Sequence, residues 1–360
     1  MVSFRARPTP LLRALLSVAV TAAALAAGGA AHAGKNDLQL LNLCDSAPVT
    51  GLGMAPTGVT SECSWIHRGA NGAIQSPVTV DVDGQSRFRS LMSELGVVVA
   101  PRLQTPADTL GYAGFQVSAE LGVTKINSSQ PYWHGVEGFA SGQTPDSYMT
   151  TVGAFVRKGL WLPLPAFEFG AGAVNIIGSR MYAVQGYAKL ALQEGFHGWW
   201  LPSLAVRGSA SQLLGTDQVD LNVYGVDVLI SKAFGIAGTS RVEPFLGWNM
   251  LFIDAKSGVI DATPRCDAVD VRNGVAGGPQ CAAAQSGSWN DTLANFTFPQ
   301  QDVITRQRWS AGFKLKLAIL FLVGEYDFIL AGHSRDGTQP EVKDGSGSQQ
   351  SFSLSAGFDF

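Results

Sequence analysis

Along residues 111–360, polar and apolar side chains alternate in short runs, most of them ending near Gly, Pro, Asn or Asp. Period-two alternation marks a strand with one apolar face and one wet face. The clearest run, 111–125, sets Phe115, Val117, Ala119, Leu121 and Val123 against Gln116, Ser118, Glu120 and Thr124. Further strands are predicted over 147–158, 166–177, 180–194, 199–211, 217–234, 241–254, 306–317 and 320–331, with a terminal one over 351–360, ten in all. Within 217–234 the apolar residues change parity around Tyr224 and Gly225, which predicts a β-bulge there. Long polar connections at 127–146, 255–301 and 332–350 fall on one side when the strands are numbered, and short connections alternate with them. Ahead of the strands, 34–84 has no sustained period and reads as irregular structure. Phe88, Leu91, Met92 and Leu95 then recur at helical spacing, predicting a short amphipathic helix followed by an extended run at Val97, Val98 and Val99. A strand over 87–100 is the competing reading, and with another at 78–82 it would raise the count to twelve.

The last ten residues place Phe352, Leu354, Phe358 and Phe360 on one face and Ser351, Ser353, Ser355 and Asp359 on the other. No chain follows to cover four large apolar side chains, but lipid would cover them. This ending resembles the C-terminal insertion signal of bacterial outer-membrane β-barrel proteins, which closes on Phe or Trp with apolar residues at alternate positions before it. The resemblance implies an all-β fold, a transmembrane antiparallel β-barrel of about ten strands in the bacterial outer membrane. Its expected partners are outer-membrane lipid and the barrel-assembly machinery. An even strand count puts both barrel ends on the periplasmic side, with short turns inside and long loops outside.

Composition agrees with that expectation. Beyond residue 33 the longest apolar run, 317–324, is stopped by Glu325 and Asp327 and falls short of the roughly 18 to 20 residues a membrane helix needs. A membrane-spanning chain of this kind must be a closed barrel. Only 15% of residues are charged and 42 are Gly, as suits a lipid-facing exterior and a crowded interior. Residues 1–33 carry Arg5, Arg7 and Arg13, an Ala/Leu/Val core and an Ala31-His32-Ala33 end, the pattern of a cleaved secretory signal. Its removal lowers Lys plus Arg from 25 to 22 against 28 Asp plus Glu, a net charge of −6 that calls for no nucleic acid. The expected organisation is therefore signal peptide 1–33, a disulfide-bearing segment 34–110 that could plug the lumen, and a barrel from 111 to 360.

Four cysteines in an exported chain point to disulfides. Cys44 and Cys63 lie in the N-terminal segment, and Cys266 and Cys281 in the longest loop. Three pairings are open, with local pairing favoured because a barrel wall should separate the two segments. Catalytic and metal chemistry is sparse. Gly170-Ala171-Gly172 lacks the spacing of a dinucleotide fingerprint. The Gly332-His333-Ser334-Arg335-Asp336 stretch is not a nucleophile elbow. His67, His134, His197 and His333 never approach ligand spacing, so no enzyme, cofactor or metal is expected.

The inward-facing positions carry more information. Alternation assigns Glu120, Glu168, Lys189, Arg207, Asp227, Arg306, Arg308, Lys314, Lys316, Glu325 and Asp327 to the lumen, both signs together. Opposite charges across a narrow lumen are expected to pair, Arg308, Lys314 and Lys316 with Glu325, Asp327 and acids on other strands. Two functions fit. One is a narrow porin-like channel or hydrophobic-solute transporter with an N-terminal plug, taking a small solute. The other is a non-transporting structural or surface-interaction barrel that presents the 255–301 loop.

Overall fold

The computed structural model describes residues 34–44, 80, 82–140, 145–161, 166–194, 200–237, 240–261, 295–334 and 341–360. The expected signal peptide, Cys63, Cys266, Cys281 and most of the 255–301 loop lie outside the described residues. In chain order the strands are β1 (Phe115–Lys125), β2 (Tyr148–Leu160), β3 (Phe167–Ile176), β4 (Tyr182–Gln193), β5 (Ser203–Leu214), β6 (Val219–Ser231), β7 (Phe234–Ala237), β8 (Ser240–Ser257), β9 (Ile260–Asp261), β10 (Asn295–Phe296), β11 (Ile304–Leu317), β12 (Leu320–Ile329) and β13 (Gln349–Asp359). Ten of them, all except β7, β9 and β10, close into an antiparallel barrel, with β8 joining β6 to β11 and β13 joining β12 to β1. The closing seam sets Gln116 opposite Asp359 and Thr124 opposite Ser351. It ends where the Phe115 amide donates to the Phe360 carbonyl at 3.0 Å and the Phe360 amide to the Phe115 carbonyl at 2.8 Å. Closure leaves no edge among these ten strands unpaired, which a β-structure in lipid requires.

β7 continues β6 past Lys232 and Ala233 and pairs with the first residues of β8. β9 and β10 form a separate two-stranded ribbon. The barrel has ten strands, and the twelve-strand alternative falls because residues 87–99 belong to a helix, α1 (Val82–Val99). The β-branched run Val97 to Val99 favours extended structure, yet it forms the last turn of α1, fully enclosed by the barrel. A helix satisfies its own backbone groups, whereas an extended segment needs an outside partner for each one. Pro101 ends the helix by disfavouring helical geometry at Ala100. The helix is not amphipathic in the ordinary sense: from Phe88 onward every residue is buried.

The bulge expected at Tyr224 and Gly225 is absent. β6 keeps an unbroken register there, with Tyr224 opposite Ala210 and Phe252 and Gly225 opposite Ser209 and Leu251. What changes is the environment of the two faces. At one end of β6, inward-facing Val219, Leu221 and Val223 join the apolar cluster around α1 while Asp220 faces out. Further along, Tyr224, Val226, Val228 and Ile230 face out, and Asp227 faces in. The parity switch marks where the strand enters lipid and where the lumen lining changes from apolar to charged.

Outward-facing Leu121, Val156, Phe169, Val184, Leu246, Phe313, Tyr326, Phe352 and Leu354 form an exposed apolar belt around the wall. A water-exposed patch of this extent is foreign to soluble monomers, and no described helix is long and apolar enough to cross a membrane. The chain is a membrane-spanning barrel of the outer-membrane type. Its connections at 126–147, 177–181, 215–218, 258–303 and 330–348 share one end; those at 161–166, 194–202 and 318–319 share the other, with residues 111–114 and Phe360. By the loop-length rule the first end is the outer face and the second the periplasmic face.

Candidate functional site

The lumen is filled by the chain that precedes β1. Residues 34–44 lie on the outer end. There the Asn36 amide donates to the Gly178 carbonyl at 3.0 Å, the Gln39 amide donates to the Gly135 carbonyl at 2.9 Å, and Leu38 forms an antiparallel bridge with Val136. Asp37 pairs with Arg180 at 3.0 Å. Helix α1 then enters the barrel mouth, stacking Phe88 on Phe298 with ring centroids 4.8 Å apart. Phe88, Leu91, Met92, Leu95 and Val97 to Val99 pack against inward-facing Ile176, Leu213, Leu221, Leu251, Ile253 and Ile304 in one buried cluster.

Glu94 fastens the helix to the β1–β2 connection. Its carboxylate accepts from the Tyr132 hydroxyl at 2.7 Å, the Trp133 indole N–H at 2.7 Å and the Asn127 amide at 3.0 Å. Burial, and then the Glu94 charge, push the Tyr132 phenol well above its ordinary range, so Tyr132 keeps its proton and acts as a donor.

Below the helix, residues 100–110 descend through the barrel as irregular chain. Backbone of this kind is tolerated at membrane depth only where protein satisfies it, and here the wall does so contact by contact. The Val99 carbonyl accepts from Gln185 Nε2 and Ser211 Oγ, both at 2.8 Å. The Pro101 carbonyl accepts from Arg308 at 2.7 Å. Arg207 donates to the carbonyls of Arg102 at 2.8 Å and Leu103 at 3.3 Å. Glu325 receives the successive amides of Leu103 and Gln104. Lys189 donates to Thr105 Oγ1 at 3.0 Å and to the carbonyls of Pro106 at 3.0 Å and Asp108 at 2.9 Å. Near the periplasmic end the Leu110 amide donates to Glu168 at 3.1 Å and the Thr109 amide to Glu194 at 3.0 Å.

Side chains of the segment also reach the wall, Asp108 pairing with Arg241 at 2.7 Å. Arg102 Nη1 pairs with Glu120 at 2.9 Å and also donates to Thr151 Oγ1 at 3.1 Å. Two wall glycines leave room for the segment. A Cβ on Gly122 would lie 2.4 Å from the Arg102 guanidinium carbon, and one on Gly247 would lie 2.2 Å from Leu103.

Glu120, Glu168, Lys189, Arg207, Asp227, Arg306, Arg308, Lys314, Glu325 and Asp327 are all buried inside the barrel, and Lys316 is partly exposed at the periplasmic mouth. Their pairing follows the expectation for acids on other strands and departs from it at Glu325 and Asp327. Lys314 and Lys316 both bind Asp359, at 2.8 and 3.0 Å, and Arg308 approaches Asp227 at 3.9 Å. Strand register is the reason: Glu325 lies opposite Gly312 and Asp327 opposite Ser310, so neither faces a base across the β11–β12 hairpin. Asp327 accepts from Ser310 Oγ, and Glu325 turns to the threaded backbone. Direct wall pairs form elsewhere, Arg207 with Asp227 at 2.8 Å and Lys189 with Glu168 at 3.2 Å.

Reading the chain as a row of strands cannot supply Arg102, Gln104 or the carbonyls of 99–108, since none lies on a strand. The available signal was the surplus of long inward-facing donors in a lumen too narrow for solvent, together with Pro101 and Pro106 just ahead of the first strand. The argument for local disulfides changes as well. Cys44 closes a 3-10 turn, Leu40–Cys44, on the same end of the barrel as β9 and β10, which flank the loop holding Cys266 and Cys281. No wall separates Cys44 from β9 and β10. Phe352, Leu354 and Phe360 point outward, with Phe360 half exposed, and Phe358 is partly covered where its ring stacks on that of Phe360 at 6.2 Å.

Two small cavities border the filled lumen. The outer one, about 240 Å³, is lined by Asp37, Gln39, Glu137, Arg180 and Gln218 among others. The periplasmic one, about 150 Å³, is lined by Asp108, Arg241, Glu243, Lys314, Lys316 and Asp359 among others. Both linings are polar, and neither cavity resembles the apolar pocket that a greasy ligand would need.

No protein-family model matches the chain, and no curated protein matches it in sequence. Among solved structures the chain is similar to Ail, the attachment invasion locus protein of Yersinia pestis, at 9% identity and a TM-score of 0.24, covering 69% of this chain and 99% of that one. It is similar to the N-terminal β-barrel domain of Pseudomonas aeruginosa OprF at 10% identity and a TM-score of 0.23, covering 69% and 99%. It is also similar to Neisserial surface protein A at 12% identity and a TM-score of 0.25, covering 68% and 95%. Likenesses of this size carry no argument of their own, and the assignment to an outer-membrane barrel rests on closure and the apolar belt.

Proposed function

We propose that the protein is a plugged, non-conducting outer-membrane barrel whose work is done at its outer face, a surface-interaction barrel rather than an open porin. The observation that carries this reading is the filled lumen: residues 99–110 take hydrogen bonds from four strand-borne cations or amides and give others to wall carboxylates. A solute would have to break many of these contacts at once. At the outer face, by contrast, residues 34–44 and the described parts of the β1–β2 and 330–348 connections are tied together through α1. A gated transporter is the second reading, favoured only by the polar cavities that border the segment at either end.

Planar-bilayer recordings of the refolded full chain test the choice. The expected result is no steady current from the intact protein, and current from a form lacking residues 34–110. A large, steady ohmic conductance in the intact protein would overturn the proposal. Current that appears only on adding a solute would favour the gated transporter.

A further inference from the structure

The partners of the N-terminal segment are ordered along the barrel axis. Among the described residues, 34–44 contact α1 and outer-end elements, the latter through Gly135, Val136 and Gly178. Helix α1 contacts the outer connections through Arg89, Ser93 and Glu94. Residues 99–104 meet mid-wall side chains, and 108–110 meet Arg241, Glu194 and Glu168 near the periplasmic end. The order never reverses. The eleven residues 100–110, extended at roughly 3.3 Å each, reach ~36 Å, enough for one passage across ~30 Å of hydrocarbon. The segment therefore crosses the membrane once, inside the barrel, and delivers the chain to β1 at the face opposite the one where residues 34–44 sit.

We infer that this barrel carries its own N-terminal segment across the outer membrane and presents the chain ahead of α1 on the cell surface. Passage has to come before closure. At the level of Arg102 to Thr105 every residue of the segment is buried, and Arg102, Arg207, Arg308 and Glu325 occupy the remaining cross-section. A finished barrel offers no route for 34–95, so the segment lies in the lumen before the seam between β1 and β13 is sealed. Any chain joined ahead of residue 34 would be displayed outside in the same way. This inference rests on the plugged-barrel reading, but its test does not involve conductance, so the two can fail separately.

The unmodified protein supplies three reporters. Lys35 lies on the outer end beside Asp146, Lys343 lies in the 330–348 connection, and Lys158 lies near the periplasmic end, donating to the Ala113 carbonyl at 3.1 Å. Intact cells are treated with a membrane-impermeant amine-reactive reagent, and the sites are read by peptide mass spectrometry. Lys35 and Lys343 should be modified on intact cells, and Lys158 only after the outer membrane is permeabilised. Lys35 behaving like Lys158 while Lys343 is labelled from outside would overturn the inference. A second arm joins a short epitope ahead of Gly34 and uses heat-modifiable gel mobility to select barrels that have folded. Antibody should bind that epitope on intact cells, and binding that requires permeabilisation would overturn the inference independently.

Discussion

Replacing Arg102 by alanine removes the one side chain that ties the lumen segment to β1 by charge. Arg102 and Glu120 meet at 2.9 Å with both side chains only 3% exposed, and Thr124 and Thr151 receive further guanidinium hydrogen bonds. Taking one partner from a buried pair strands the other, at a cost of roughly 3–5 kcal/mol. At about 1.4 kcal/mol per decade, that shifts the balance between seated and displaced segment by roughly 10²- to several 10³-fold. Glu120→Gln strands the opposite charge, and the double variant strands neither. The expected cycle is two destabilised single variants and a double variant less destabilised than their sum, with a coupling of ~1–3 kcal/mol. Denaturant midpoints followed by heat-modifiable mobility give the energies, and bilayer current gives the displaced population, which should rise in both single variants. Additive single effects, within about 0.5 kcal/mol, together with unchanged current would refute the view that this pair seats the segment.

Deleting Phe360 removes the two terminal hydrogen bonds of the closing seam and a half-exposed lipid-facing ring, so the heat-modifiable fraction recovered from membranes should fall, while the same deletion leaving assembly intact would count against the insertion signal. Glu94→Gln weakens three charge-assisted contacts between α1 and the β1–β2 connection, and should lower stability by about 2–4 kcal/mol with faster proteolysis of the outer face. Cys266 is expected to pair with Cys281, closing a loop whose chain entropy is worth roughly 3 kcal/mol. Non-reducing peptide mapping reads the pairing; a bridge from Cys44 or Cys63 to that loop would refute local pairing while leaving the topology untouched.

Alternation alone determined a great deal. The side-chain period of a strand is local, and lipid outside with a narrow lumen inside imposes opposite demands on successive residues. That is why the ten strands, their sidedness and the inward positions of Glu120, Lys189, Arg207 and Asp327 could be read directly from the chain. The same logic failed at Tyr224, where the faces exchange polarity without any change of register, because a change of environment and a bulge leave the same trace in one dimension. It failed also at Val97 to Val99, whose β-branched side chains favour a strand until the surrounding wall leaves a self-satisfied helix as the better solution. Only the tertiary structure decided which charges pair. Inward charges choose among several strands and a threaded backbone, and those partners are fixed by barrel closure and register rather than by sequence distance. Glu325 illustrates the point: its neighbours in the chain suggest a basic partner, but closure puts Gly312 opposite it and two backbone amides of residues 103 and 104 within its reach. The direction of the N-terminal segment was decided in the same way, since nothing local to residues 96–110 says which end of a barrel they enter until the wall that satisfies their backbone is in place.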